Sequence, residues 1–107
     1  MIIDSHCHLT YKPMSNALNE TIDRANKDGI KYMLTISTED KSFEQILKIV
    51  NGYESVYGTY GIHPHEAKSH QHIKSADIIN KVNKNKKIIG IGETGLDFYY
   101  NHSEKKD

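Results

Sequence analysis

Hydrophobic residues occur along the chain as short apolar runs, separated by longer stretches in which apolar and polar residues alternate at helical spacing. Apolar runs of roughly four to eight residues favour buried strands, whereas apolar residues three and four positions apart favour helices. These patterns predict strands over residues 1–4, 30–36, 55–62 and 87–92. The first strand is expected to be short and buried, and to run into a loop that Pro13 interrupts.

Helices are predicted in the three intervals between the strands. The first has Ser15 as its N-cap and ends at Gly29, a residue type that helix ends favour. The second follows the capping residues and first-turn acids of residues 37–40 and ends at Gly52, and the third covers residues 73–82. The apolar stripes are Leu18, Ile22 and Ala25 in the first helix, Phe43, Ile46, Leu47 and Val50 in the second, and Ala76, Ile79 and Val82 in the third.

The predicted order of elements is strand, helix, strand, helix, strand, helix, strand, with no interval short enough for a hairpin. This order predicts an α/β fold in which parallel strands are joined by helical crossovers. Two architectures fit it: a small doubly wound sheet, or the first half of an eight-stranded barrel, which normally needs about 250 residues. In both, functional residues gather beyond the carboxyl ends of the strands.

Composition and charge exclude several classes of protein. The chain has 107 residues, with 14 basic residues balancing 14 acidic ones, so it lacks the basic excess typical of non-specific nucleic-acid binding. Its one cysteine, Cys7, has no intramolecular disulfide partner, which favours a reducing compartment, and we expect a cytoplasmic location. No apolar run reaches the roughly 18 residues of a membrane span, so no membrane association is expected.

Two histidines lie at the end of the first predicted strand. In extended backbone, residues two apart share one face, so His6 and His8 can chelate one metal ion while Cys7 points to the opposite face as a packed thiol. Imidazole nitrogens are common metal ligands. The alternative, in which the two histidines simply end a strand in solvent, stays open on this motif alone.

The fourth predicted strand ends in a carboxylate. Alternation places Ile89, Ile91 and Glu93 on one face, where an unpaired buried carboxylate would be costly and a cation would offset that cost. A partly solvated glutamate in a glycine-rich turn is the alternative. With His6 and His8, Glu93 makes a set of two histidines and one carboxylate, which predicts a metal site.

The third predicted strand also ends in two histidines, His63 and His65, which are separated by Pro64. Because the chain is leaving the strand at this proline, the two side chains need not share a face. We therefore expect them to contact substrate rather than metal. Loop histidines without a special task are the alternative.

The three strand-end motifs together resemble the TatD family of metal-dependent deoxyribonucleases. The segments that carry the resemblance are "MIIDSHCHL", "YGIHPHEA" and "IGIGETGLDFYY". The resemblance implies a TIM barrel with two divalent cations, in which His6 and His8 bind the first cation and Glu93 bridges both. It also implies that His63 and His65 line the substrate side and that DNA phosphodiester bonds are hydrolysed by a metal-activated water.

Residues 1–107 correspond to the first half of such a barrel, about four β/α units, and stop after the fourth strand. Further ligands, two histidines and an aspartate, lie in the second half of family members. Two hypotheses follow: a metal-dependent deoxyribonuclease that acts only when a C-terminal half or another copy completes the barrel, or an inactive remnant that is a metal-binding half-barrel. Open sheet edges are also expected to favour self-association.

A third hypothesis keeps the barrel and changes the reaction, because a His-x-His first strand also opens amidohydrolases that act on cyclic amides or nucleobases. Those enzymes commonly bridge their metals with a carboxylated lysine or another carboxylate, and the motif around Glu93 contains no lysine. The identity of the metal stays open, since imidazole and carboxylate ligands suit zinc or manganese, and phosphoryl sites often use magnesium.

Overall fold

One parallel four-stranded sheet forms the centre of the fold. The structure, a computed structural model, describes residues 1–64, 68 and 70–94. The strands are β1 (Ile2–Cys7), β2 (Ile30–Thr35), β3 (Val56–Tyr60) and β4 (Ile88–Ile91), hydrogen-bonded in the order β1-β2-β3-β4. The helices are α1 (Leu18–Lys27), α2 (Asp40–Gly52) and α3 (Ser75–Asn83).

The order of the strands separates the two predicted architectures. All three strand pairs are parallel and follow chain order, which confirms the α/β prediction. A doubly wound sheet reverses its strand order at a switch point, whereas each strand of a barrel lies beside the next one in the chain. The sheet therefore has the topology of four consecutive barrel units.

The hydrophobic core lies between the sheet and its helices, with α1 packed on β2, α2 on β3 and α3 on β3 and β4. Met33, Val56 and Ile88 contribute from the sheet and are buried. The predicted stripes of α1 and α2 are confirmed by their positions in or against this core. From the helices the core receives Ile22, Phe43, Ile46, Ile49 and Val50, with Leu18, Ala25 and Leu47 packed against it.

The opposite face of the sheet is apolar and open. Ile3, Ile89 and Ile91 are 56%, 60% and 58% exposed, and an open groove of about 310 Å³ runs across this face between Ile3, Leu34, Tyr57 and Ile89. The prediction of a buried first strand was therefore wrong. Within the described residues β1 is an edge strand that pairs with β2 alone, so its apolar side chains have neighbours on one side only.

Two helix predictions need correction. Helix α1 starts at Leu18 after Ala17, and Ser15 lies in a short 3₁₀ turn (Met14–Asn16) instead of capping the helix. In α3 the core-facing residues are Ile78 and Val82, while Ile79 is exposed, because the helix is rotated by one position from the predicted stripe. The end of α1 was predicted correctly: Gly29 has φ of 96°, the left-handed conformation that glycine adopts at helix ends. No helix in the described ranges is long and apolar enough to cross a membrane.

Candidate metal centre

The carboxyl ends of the parallel strands bring three predicted ligands together. His6 lies in β1, His8 directly follows that strand, and Glu93 follows β4. Each offers one ligand atom, and these three atoms all lie within 4.8 Å of one another. Parallel strands end at the same edge of a sheet, so residues far apart in sequence meet there.

His6 and His8 lie on the same side of the chain, as the alternation of β1 predicts. Their ring centroids are 5.1 Å apart with the ring planes at 74°. Cys7 points away from them, packs against the core, and its Sγ lies 3.4 Å from the carbonyl oxygen of Leu34. Burial, with a smaller effect from the charge of Asp4, raises the pKa of the Cys7 thiol to about 12, so this sulfur is neither a ready nucleophile nor a ready ligand.

The ring of His8 carries an unsatisfied nitrogen. Its Nδ1 is buried and has no hydrogen-bond partner among the residues that the structure describes. The ring stacks on Tyr11, with 4.8 Å between centroids and 16° between planes, and the Tyr11 hydroxyl lies 3.0 Å from Oγ1 of Thr38. Leaving such a nitrogen unpaired costs about 1–3 kcal/mol, so its orientation calls for a partner beyond the described residues.

Glu93 lies between two histidines. Its Oε2 is 3.5 Å from Nε2 of His6, and its Oε1 is 3.1 Å from Nε2 of His63. The side chain is 30% exposed, and Ile89 and Ile91 are open to solvent, so the strand does not bury the carboxylate as predicted. The case for a cation therefore rests on the histidine neighbours rather than on a desolvation cost.

The structure brings His63 into the cluster but outside the three-residue ligand group. Its side chain is 22% exposed and contacts the carboxylate of Glu93. The other predicted substrate-contacting residue, His65, lies outside the described residues. The role of His63 stays a prediction, as do the ligand roles of His6, His8 and Glu93.

A close approach between two glycines joins the ends of β3 and β4. A Cβ atom added at Gly61 would lie 2.5 Å from the carbonyl carbon of Gly92 and 2.6 Å from its oxygen. Only glycine fits there without displacing backbone. The segments that carry His63 and Glu93 are therefore in close backbone contact at these two glycines.

Sequence reasoning missed the contribution of Ser37 and Thr38, which were interpreted as helix caps. Both are buried, and the N-cap position of α2 belongs to Glu39, which makes no side-chain cap hydrogen bond. Their carbonyl oxygens instead accept hydrogen bonds from the amides of the site: Glu93 N–H donates to Ser37 O at 2.8 Å, and His63 N–H donates to Thr38 O at 2.7 Å. Side-chain type alone does not signal such backbone contacts.

Two imidazoles and one carboxylate form a donor set that fits a divalent cation. Zinc and manganese both accept mixed nitrogen and oxygen ligands. His6, His8 and Glu93 are the described residues that could hold such an ion.

Comparisons with known proteins identify the family of this chain. The family model described as TatD related DNase matches residues 3–107, nearly the whole chain. The chain belongs to the TatD-related DNase family. Its fold also matches that of YjjV, a TatD homologue from Escherichia coli K12, with a TM-score of 0.74 and 25% identity over 94% of this chain and 39% of that one.

Relatives in the TatD family carry names of hydrolases and nucleases. An uncharacterized metal-dependent hydrolase of Buchnera aphidicola subsp. Baizongia pistaciae is 34% identical over 98% of this chain and 40% of its own length. A 3'-5' ssDNA/RNA exonuclease, TatD of Salmonella typhimurium, is 30% identical over 99% of this chain and 40% of its own length. The chain thus spans about 40% of the length of these curated relatives.

Proposed function

We propose that this chain supplies the first half of the active site of a metal-dependent phosphodiesterase that hydrolyses DNA. The observation that carries the proposal is the grouping of His6, His8 and Glu93, whose ligand atoms lie within 4.8 Å of one another. Two imidazole rings and a carboxylate are donor types that divalent cations accept, which supports a cation at this grouping.

The chain's own residues would divide the work at such a site. His6, His8 and Glu93 would hold a divalent cation, which supplies Lewis-acid activation of water and of a phosphoryl oxygen. The stack of Tyr11 on His8 restricts rotation of the ligand ring. Backbone hydrogen bonds from Glu93 N–H to Ser37 O and from His63 N–H to Thr38 O hold Glu93 and His63 in position. This restraint lowers the entropic cost of ordering their side chains when a ligand binds.

His63 is proposed to contact the scissile phosphate. Its Nε2 already faces a carboxylate oxygen of Glu93 at 3.1 Å, and the ring is partly open to solvent. A ring N–H at that position can donate a hydrogen bond to a phosphoryl oxygen, where charge develops during hydrolysis. His65, from the same motif, is proposed for the same side of the site.

DNA is proposed as the substrate because relatives are named as a deoxyribonuclease and an exonuclease acting on single-stranded DNA and RNA. Those relatives are more than twice as long as this chain, so the complete site is proposed to need further β/α units. The exposed apolar face around Ile3, Ile89 and Ile91 supports this, since later barrel strands would cover it. For the chain by itself we expect metal binding with negligible DNA hydrolysis.

A cytoplasmic location is proposed for this function. Cys7 carries a free thiol, and its Sγ lies near the Leu34 carbonyl at 3.4 Å. A free, half-buried thiol suits a reducing compartment. The proposed location is the compartment in which the reaction takes place.

A chimera tests the proposed reaction. This chain replaces the matched first 40% of the Buchnera relative, and the chimera is assayed on end-labelled single-stranded DNA with Mg²⁺, Mn²⁺ or Zn²⁺. We expect metal-dependent cleavage that Glu93→Gln abolishes and that Glu44→Gln, a change of an exposed glutamate on α2, leaves unchanged.

A cyclic amide assayed beside the DNA separates the two hydrolase hypotheses. The proposal predicts turnover of DNA and none of the amide. Amide hydrolysis without DNA cleavage, by a chimera that is folded and metal-loaded, would contradict the choice of substrate. Cleavage unaffected by Glu93→Gln would contradict the proposed site.

A further inference from the structure

The buried segment Ser37–Thr38 makes hydrogen bonds to all the other strand ends that form the site. It accepts the amide hydrogens of Glu93 and His63, and Thr38 Oγ1 bonds the hydroxyl of Tyr11, whose ring stacks on His8. These contacts connect the loop after β2 to the ends of β1, β3 and β4. One segment therefore sets the relative positions of three site side chains.

The hydroxyl of Thr59 also links this segment to the end of β4. Thr59, in β3, is 5% exposed, and its Oγ1 donates to the carbonyl oxygen of Gly92 at 2.8 Å. Thr59 Oγ1 also accepts a hydrogen bond from the backbone N–H of Ser37, at 3.3 Å. A threonine hydroxyl has one donor and two acceptor lone pairs, so it can bridge a donor and an acceptor in this way.

Gly92 immediately precedes Glu93, so the hydrogen bond from the Thr59 hydroxyl to Gly92 O also restrains the backbone of Glu93. Besides the hydrogen bond from Gly92 N–H to Tyr60 O, two restraints hold the backbone that carries the Glu93 side chain: the Thr59 hydroxyl and the hydrogen bond from Glu93 N–H to Ser37 O. Ser37 is in turn held by Thr59, so the two restraints share one side chain. Removing the hydroxyl weakens both.

We propose that Thr59 is a positioning residue for Glu93, acting through Gly92 and Ser37. Its role in metal binding rests on the proposed function, whereas its role in holding the backbone does not. Thr59 touches none of the ligand atoms. Its hydroxyl reduces the range of positions open to the Glu93 carboxylate and so favours the one beside His6 and His8.

Hydrogen exchange of backbone amides in the metal-free protein tests the backbone role. Thr59→Val replaces the hydroxyl with a methyl group of similar size, and Thr59→Ser retains the hydroxyl. We expect the Glu93 amide to exchange about fivefold faster in Thr59→Val and at nearly the wild-type rate in Thr59→Ser. Rates are normalised to the Met33 amide, which bonds Ser55 O within the sheet.

Thr35→Val is the matched control for loss of a buried hydroxyl. Thr35 is fully buried, and its Oγ1 accepts the amide hydrogen of Leu9 instead of one near Glu93. We expect this variant to speed exchange at Leu9 and to leave the normalised rate at Glu93 unchanged. If Thr59→Val does not fold, Thr59→Ala removes the same hydroxyl without adding a methyl group.

Zinc titration of the same variants tests the consequence for the site. We expect the zinc affinity to fall about threefold to tenfold in Thr59→Val and to stay near wild type in Thr59→Ser. Unchanged exchange at Glu93 in Thr59→Val overturns the proposal whatever the zinc result. Faster exchange with unchanged zinc affinity in a wild type that binds zinc overturns the link to the ligand. A wild type that binds no zinc contradicts the proposed function, and the exchange data still decide the positioning role.

Discussion

Nε2 of His63 lies 3.1 Å from Oε1 of Glu93, across the ends of the neighbouring strands β3 and β4. Their backbones are held separately: His63 N–H donates a hydrogen bond to Thr38 O, and Glu93 N–H donates one to Ser37 O. The contact is therefore a product of the strand-end backbone rather than of two mobile side chains. It places His63 beside the group of His6, His8 and Glu93.

His63→Gln is expected to lower DNA hydrolysis by the chimera about tenfold to a hundredfold while changing zinc affinity less than threefold. The reason is that His63 lies outside the group of His6, His8 and Glu93 and contacts a carboxylate oxygen instead. Steady-state kinetics and zinc titration measure the two effects. His72→Gln, at an exposed position, is the control. Loss of zinc affinity as large as that of Glu93→Gln would make His63 a ligand.

Gly61→Ala is expected to destabilise the fold by about 1–3 kcal/mol and to weaken zinc binding. The added Cβ would lie 2.5 Å from the Gly92 carbonyl carbon, so the backbone that leads to Glu93 must move. Urea unfolding and zinc titration measure the two effects. Gly52→Ala is the matched control, because a Cβ there meets no heavy atom within 4 Å. Equal behaviour of the two variants would refute the close approach.

Cys7 is expected to resist alkylation in the folded protein. Its pKa is raised from 9.0 to about 12 by burial, so the thiol is almost entirely protonated at pH 8. Iodoacetamide should react at least about a hundredfold more slowly with the folded chain than with the urea-unfolded chain. The raised pKa stabilises the fold fully below pH 9, and this contribution declines as the pH rises from 9 towards 12. Equal rates in both states would contradict the burial.

Asp40 is expected to stabilise the fold in a pH-dependent way. Hydrogen bonds from Lys81 and, at 2.5 Å, from the Tyr60 hydroxyl hold the pKa of its carboxyl below the usual 3.8. A lowered pKa gives stability that is full above pH 3.8 and is lost as the pH falls below that value. Asp40→Asn should therefore cost about 1 kcal/mol at pH 7, since the ion pair is about one third exposed, and less at pH 2.5.

Urea unfolding at the two pH values measures that difference. Asp23→Asn, at an exposed position on α1, is the control and should change stability little at either pH. A cost for Asp40→Asn that is the same at pH 7 and pH 2.5 would show that the carboxylate charge contributes nothing.

The sequence predicted the sheet and the grouping of His6, His8 and Glu93 because both depend on side-chain alternation. Once the strands are parallel, their ends must share one edge, which brings His6, His8 and Glu93 together. Alternation does not tell whether a face is covered, so the exposure of Ile3 on edge strand β1 was missed. In α3, the adjacent apolar residues Ile78 and Ile79 fit two nearly equal rotations, and packing decided between them.

Sequence patterns did not predict the hydrogen bonds and the ring stack that support the site. Ser37 and Thr38 act through their carbonyl oxygens, groups that every residue carries, so their side chains indicated only helix caps. The stack of Tyr11 on His8 depends on the turn after β1, in which Tyr11 N–H donates to His8 O at 3.1 Å. Both contacts arise from backbone geometry rather than from residue type.

Zinc titration of the 107-residue chain by calorimetry tests whether His6, His8 and Glu93 form one cation site. We expect one site in the wild type, an affinity at least about tenfold lower in His8→Ala and in Glu93→Gln, and wild-type affinity in the exposed control Glu44→Gln. Equal affinities for the wild type and both ligand variants would contradict the claim.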